Sequence, residues 1–155
     1  MKKSGWKIHV LTRLLPVCLL LLCQSCLAAG NNALPDRGEI ITAAQLLQLA
    51  EEHGQHDIVE KLRDAAPARR FVSDGCSGGC PQVWRGKILY PACFWHDARY
   101  YLGGSRVEKL LADARLMVDV CLITKDPDWA AAMFNGVWLG GNLPASWQWG
   151  KVGVE

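Results

Sequence analysis

Cys93-Phe94-Trp95-His96-Asp97-Ala98-Arg99-Tyr100 is the stretch on which the reading of this 155-residue chain turns. Pro91 just ahead of it suits the first turn of a helix, and Gly103-Gly104 beyond it stops one. A helix from Pro91 through Tyr101 is predicted. On such a helix Cys93, His96, Asp97 and Tyr100 fall at i, i+3, i+4 and i+7, on one face. Cysteine, histidine, acid and tyrosine are an unusual choice for a side that faces a core. The plain reading is a half-buried, hydrogen-bonded cluster; the sharper one is a site.

The following segment narrows the choice. Ser105-Arg106-Val107-Glu108 is a capping box, and a long helix is predicted from Arg106 to about Thr124. Val107, Leu110, Leu111, Ala114, Val118 and Cys121 recur at helical spacing and form its expected buried stripe. Glu108, Arg115 and Asp119 form a charged stripe for water. Asp113 belongs to neither, with Leu110, Leu116 and Met117 as its helical neighbours. An acid on the apolar flank of a packed helix is costly unless it has a partner. The tight Gly103-Gly104 turn makes the two helices antiparallel, and His96 facing Asp113 satisfies both groups. The carboxylate would then select one imidazole tautomer and steady its charged form.

Upstream lies Ser73-Asp74-Gly75-Cys76-Ser77-Gly78-Gly79-Cys80, a glycine-rich loop. Glycines let a backbone turn its carbonyls inward, and all-oxygen ligation suits a hard cation such as Ca²⁺. Asp97 could add a carboxylate to such a set. Together the three elements describe a water-activating base, an acid that orients it and a Ca²⁺ site.

The segment from Asp74 to Cys121 resembles the secreted phospholipase A2 superfamily, and most of all its short bacterial members. The shared elements are Cys-x-x-His-Asp-x-x-Tyr (Cys93 to Tyr100), Asp-Gly-Cys upstream and an acid on the next helix. The resemblance implies a mainly α fold: two antiparallel, disulfide-linked core helices, a glycine-rich calcium loop, and further helices on either side. It implies His96 as general base, Asp113 as its partner and Tyr100 as a hydroxyl steadying Asp113. Asp97 would bind Ca²⁺ with the backbone carbonyls of Asp74 and Gly75. It also supports a Cys76–Cys93 disulfide, which leaves Cys80 with Cys121. The implied chemistry is hydrolysis of the sn-2 ester of glycerophospholipids, with a phospholipid surface as substrate and the protein a monomer. The oxyanion would be held by Ca²⁺ and a loop N–H, that of Gly75 being the candidate. A water nucleophile fits, since no Gly-x-Ser-x-Gly elbow occurs. Ala92 and Arg99 stand where the animal enzymes carry further cysteines. The calcium loop lacks their fixed glycine spacing, and Trp95 places bulk next to the base.

The rest of the chain gives the context. Residues 1–13 hold Lys2, Lys3, Lys7 and Arg13 and no acid, and Leu14 to Ala29 is uncharged and leucine-dense. Sixteen uncharged residues are short for a membrane span, which needs about 20. Residues 1–28 read as a signal peptide for secretion or periplasmic export, cleaved near Ala28. An uncleaved anchor, or a lipoprotein acylated at Cys26, are the other readings; Cys23-Gln24-Ser25-Cys26 lacks the aliphatic residue a lipobox needs. Without the four early cations the formal net charge of +2 falls by four to −2, so no basic surface for nucleic acid is implied. Of seven cysteines, Cys76, Cys80, Cys93 and Cys121 remain in the mature chain, an even set that reads as two disulfides.

Residues 29–41 read as a loose linker, and 42–155 as the phospholipase A2-like domain. Within it, 42–66 is a helical hairpin: Thr42 and Gln45 form a capping box, Gly54 ends the first helix, and Asp57 caps the second. His53 and His56 are expected to be solvated. Residues 71–124 are the catalytic core, with Phe71 to Leu89 as loop and no strand of real length. Residues 126–155 are a last helix, capped by Asp126-Pro127 and running through Leu139, and an irregular tail. Trp129 and Trp138 are expected to pack; Trp147 and Trp149 are open between packing and a membrane interface. Two other functions remain in play. One is a Cys₃His zinc module built from Cys76, Cys80, Cys93 and His96. The other is an exported phospholipase-like lipid- or protein-binding module without catalysis.

Overall fold

A computed structural model describes residues 33–77, 80–141 and 149–155. The signal peptide, the start of the linker, Gly78, Gly79 and the 142–148 stretch with Trp147 lie outside the described residues. Leu34–Glu155 forms one unit. It is mainly helical: α1 is Ala43–Glu52, α2 His56–Ala65, α3 Tyr90–Leu102, α4 Arg106–Thr124 and α5 Pro127–Gly140. Two short antiparallel pairs complete it, β1 (Ile40–Ile41) with β2 (Phe71–Val72), and β3 (Val83–Trp84) with β4 (Lys87–Ile88). Among the described residues no helix is long and apolar enough to cross a membrane.

Local chemistry accounts for the boundaries. Both capping boxes form, Thr42 with Gln45 and Ser105 with Glu108. The Asp126 side chain accepts from the Trp129 N–H at the start of α5. α2 begins one residue before the expected cap. Asp57 sits in its first turn instead, because its carboxylate is gripped by Arg99 through Nε (2.7 Å) and Nη2 (3.0 Å). Gly103 ends α3 at φ 69° and lies so close to Gly150 that a Cβ on it would stand 2.7 Å from the Gly150 Cα. The chain end is held there by Arg69, whose guanidinium donates to the carbonyls of Tyr101, Gly150 and Val152.

α3 is the central element. Nine of its thirteen residues are buried, which is why its sequence is apolar or specifically paired all round. On one side it meets the α1–α2 hairpin in a cluster of Leu46, Ile58, Leu62, Phe71, Phe94 and Tyr101. On the other, Cys93 and Ala92 join Leu89, Leu116, Val120 and Met133 from the loop, α4 and α5. The 42–66 hairpin is thus part of the first core.

Several expectations are corrected. The 34–41 segment is no loose linker: Ile41 is buried, β1 pairs with β2, and the Gly38 N–H donates to the Ser73 carbonyl (2.9 Å). Strands as short as β3 and β4 carry no period; their hairpin is made by Arg85 (φ 48°) and Gly86 (φ 77°). His53 packs its ring against Trp95, 5.4 Å between centroids. Trp95 itself is buried in the first cluster, edge-on to Phe94, rather than crowding the base.

The largest correction concerns α4. Val107 and Leu111 are 67% and 63% exposed, and Leu110 and Val118 are exposed as well. The buried stripe is Lys109, Ala112, Asp113, Leu116 and Val120. Apolar residues occur around most of α4, so hydrophobicity alone does not select its inward face. Contact with α3 and α5 selects it, and that face carries the ionic pair.

Candidate active site

α3 and α4 deliver the central group. Asp113 is fully buried. Its Oδ1 lies 3.0 Å from His96 Nε2 and accepts from the Tyr100 hydroxyl at 2.8 Å. Its Oδ2 accepts from Lys109 Nζ at 2.8 Å. Burial alone would push the Asp113 carboxyl up. The hydrogen bonds from His96, Lys109 and Tyr100 outweigh it, and the group stays below the ordinary carboxylate range, hence ionised. A carboxylate can only accept, so His96 Nε2 carries the proton and Nδ1 keeps the lone pair. Burial, with the charges of Arg99 and Lys109, holds His96 below its ordinary value against the pull of Asp113. The imidazole is neutral near pH 7. Burial and then Asp113 raise the Tyr100 hydroxyl, which remains a donor.

His96, Tyr100 and Asp97 line a cavity of about 540 Å³. Asp74, Gly75 and Ser77 edge it from the loop, and Met133, Gly136 and Gly140 wall it from α5. The disulfide between Cys76 and Cys93, 17 positions apart in the sequence, ties loop to α3. Asp97 accepts from the Ser73 hydroxyl at 2.7 Å. Burial raises its carboxyl to about 8; Ser73 opposes this, and Asp74 adds to it. Among the described residues no cation pairs with it.

Asp97 and the second acid, Asp74, offer carboxyl oxygens to a hard cation; without one, burial keeps the Asp97 proton on. Asp74, Gly75 and Asp97 are brought together at the cavity edge, consistent with an all-oxygen donor set. In the free chain the Gly75 N–H, the expected oxyanion donor, is directed to Ser73 Oγ at 3.1 Å.

The cysteines need two corrections. Cys80 and Cys121 are free thiols, each partly buried against the second cluster. Their expected pairing was what remained of an even set after Cys76 and Cys93, a count that carries no geometric constraint. Among the described residues the one disulfide joins loop to helix, and none links the two core helices. It also consumes two of the four ligands a Cys₃His zinc site requires, while the His96 Nε2 is committed to Asp113.

Sequence reasoning passed over Lys109 and Ser73. Lys109 was legible as the i−4 neighbour of Asp113, a spacing at which opposite charges meet on a helix. Ser73 had no such signal, since its contact with Asp97 spans 24 residues. Trp129 stacks flat on Trp84 (3.9 Å), and Trp149 sits edge-on to Tyr100 (5.1 Å); Trp138 is 47% exposed. Neither a protein-family model, nor a curated protein, nor a solved structure matches this chain.

Proposed function

We propose that the exported chain is a Ca²⁺-dependent hydrolase of the phospholipase A2 type, cleaving the sn-2 ester of glycerophospholipids at a phospholipid surface as a monomer. One observation carries the reading. A neutral imidazole fixed through Nε2 on an ionised carboxylate, and the Asp97 carboxyl with no cation set against it among the described residues, open on one largely apolar cavity. The Cys76–Cys93 bridge beside it suits an exported protein.

The residues divide the work as follows. His96 Nδ1 takes a proton from a water that attacks the ester carbonyl. Asp113 holds the ring in the tautomer that exposes Nδ1 and balances the charge on the imidazolium that results. As the bond between the acyl carbon and the sn-2 oxygen breaks, the imidazolium returns its proton to that leaving oxygen. The products are a fatty acid and a lysophospholipid. Tyr100 fixes the orientation of Asp113. The Asp97 carboxylate and the carbonyls of Asp74 and Gly75 would hold Ca²⁺. When bound, the ion supplies a counter-charge for the phosphate and polarises the ester carbonyl.

The test is fatty-acid release from mixed phospholipid vesicles, with Ca²⁺ and with a chelator. Release that depends on Ca²⁺ supports the reading. Vesicle binding with no fatty acid under either condition overturns it in favour of a lipid-binding module.

A further inference from the structure

Lys109 is the least expected member of the buried cluster. Its side chain is only 11% exposed, its ammonium meets Asp113 Oδ2 at 2.8 Å, and it lies 5.5 Å from the centre of the Tyr100 ring. Gly141 closes the cluster from the far side. A Cβ there would stand 2.8 Å from Lys109 Cε, 2.9 Å from Nζ and 2.5 Å from the Tyr100 hydroxyl oxygen. The backbone of Gly141 is right-handed (φ −64°, ψ −5°), so any residue could adopt it. A side chain there would press on the Tyr100 hydroxyl and on the end of the Lys109 chain. Gly141 also ends α5, and the negative end of a helix dipole favours an ammonium beside it.

We propose that Lys109, seated by Gly141, is a positioning residue for the reaction: it anchors Asp113 Oδ2 so that Oδ1 is presented to His96. The inference rests on His96 as the base. The terminal torsion of an aspartate is broad, and a carboxylate held at Oδ1 alone can swing and offer either oxygen. A second bond, on the other oxygen and from a fixed charge, removes that freedom. It also supplies the permanent counter-charge that a fully buried carboxylate needs while its imidazole partner is neutral. Lys109 contributes nothing to the lining of the cavity, so its effect on the reaction passes through Asp113.

The test compares Lys109→Met, Lys109→Arg and Gly141→Ala in the full mature chain. Two readouts are taken at one pH: kcat and KM for vesicle hydrolysis with Ca²⁺, and the His96 tautomer by ¹⁵N NMR. For Lys109→Met, kcat should fall about 10- to 100-fold, the range for losing a group that orients another, with KM within about twofold. The single Nε2–H form should give way to a mixture of tautomers. Lys109→Arg should restore the single form and most of kcat. Gly141→Ala, which presses on the ammonium and on the Tyr100 hydroxyl without removing either, should lie between; beside Tyr100→Phe, which isolates the hydroxyl's share, it carries the test if Lys109→Met does not fold. A full kcat in Lys109→Met, or an unchanged single tautomer, overturns the inference, and in an unfolded Lys109→Met its place is taken by the same result in Gly141→Ala. If the wild-type chain releases no fatty acid but its tautomer responds to the variants, Lys109 keeps its positioning role and the hydrolase reading fails by itself.

Discussion

Tyr100 and His96, one helical turn apart on α3, end on the same oxygen of Asp113, at 2.8 and 3.0 Å. Their rings lie 4.4 Å apart between centroids. Removing the hydroxyl should leave His96 in contact with Asp113 but less firmly oriented. Tyr100→Phe is therefore expected to lose about 1 kcal/mol of stability, the usual worth of one buried hydrogen bond. It should lower kcat by less than about tenfold, since Lys109 still anchors the carboxylate. Urea unfolding beside vesicle kinetics measures both. A loss as large as that of His96→Gln would mean that Tyr100 acts on the substrate directly.

How much of this was legible in the chain differs from element to element. The Ser105 capping box and the Gly103-Gly104 stop are local signals, and α4 begins and α3 ends where they say. The contact between His96 and Asp113 was deduced from a stripe that is in fact the exposed face of α4. The deduction held because its working premise was the cost of an unpaired buried acid, and that cost does not depend on which apolar residues lie beside it. Ser73 and Gly141 were missed for a common reason: their partners are fixed by how α3, α4, α5 and the loop pack, and packing leaves no period in the sequence. Lys109 differs, because its i, i+4 spacing from Asp113 was a signal in the chain itself. The two-residue strands are invisible because a period of two needs more residues than they have.

Loss of the Cys76–Cys93 bridge should act on the fold and on the site together. Closing a loop of 17 residues is worth about 3 kcal/mol by the chain-entropy relation. The double variant Cys76→Ser, Cys93→Ser is expected to unfold at lower urea by roughly that amount. Released from α3, Asp74 and Gly75 should no longer be held beside Asp97, so Ca²⁺ affinity should fall as well. Calorimetric titration with Ca²⁺ at a temperature where the variant is still folded separates the two effects. Unchanged affinity would show that the loop keeps its place without the bridge.

Asp97 gives a pH dependence whose sign is opposite to that of an ion-paired acid. Burial raises its carboxyl from 3.8 to about 8, so between these values the folded, metal-free chain holds a proton that the unfolded chain has lost. That contribution to stability is complete below about pH 4 and is lost as the pH rises through about 8. In chelator the chain should therefore melt at a lower temperature at pH 9 than at pH 6. Saturating Ca²⁺ should remove most of the difference. Asp97→Asn should be more stable than wild type at pH 9 in chelator, by at least about 1 kcal/mol, and should bind Ca²⁺ poorly. His96→Gln should keep Ca²⁺ binding and lose hydrolysis. Melting temperatures that do not change between pH 6 and pH 9 would show that Asp97 is ionised and solvated in the free protein.

Gly136 separates stability from activity. It lies within α5 and lines the cavity, and a Cβ built on it meets nothing within 4 Å. Gly136→Ala should therefore stabilise the chain by about 0.5–1 kcal/mol, the cost of a glycine in a helix interior, with little effect on turnover. Gly136→Leu should also fold, since space is available, but its side chain would occupy volume between α5 and the His96 wall. If the cavity receives the acyl chain, the leucine should raise KM and lower kcat for phospholipids with long chains. Substrates with short chains should be turned over as in the wild type. The ratio of kcat/KM for the two chain lengths, measured in the same detergent, isolates this effect from any change in the amount of folded protein. An equal loss on both substrates would place the acyl chain elsewhere and leave the cavity for the head group.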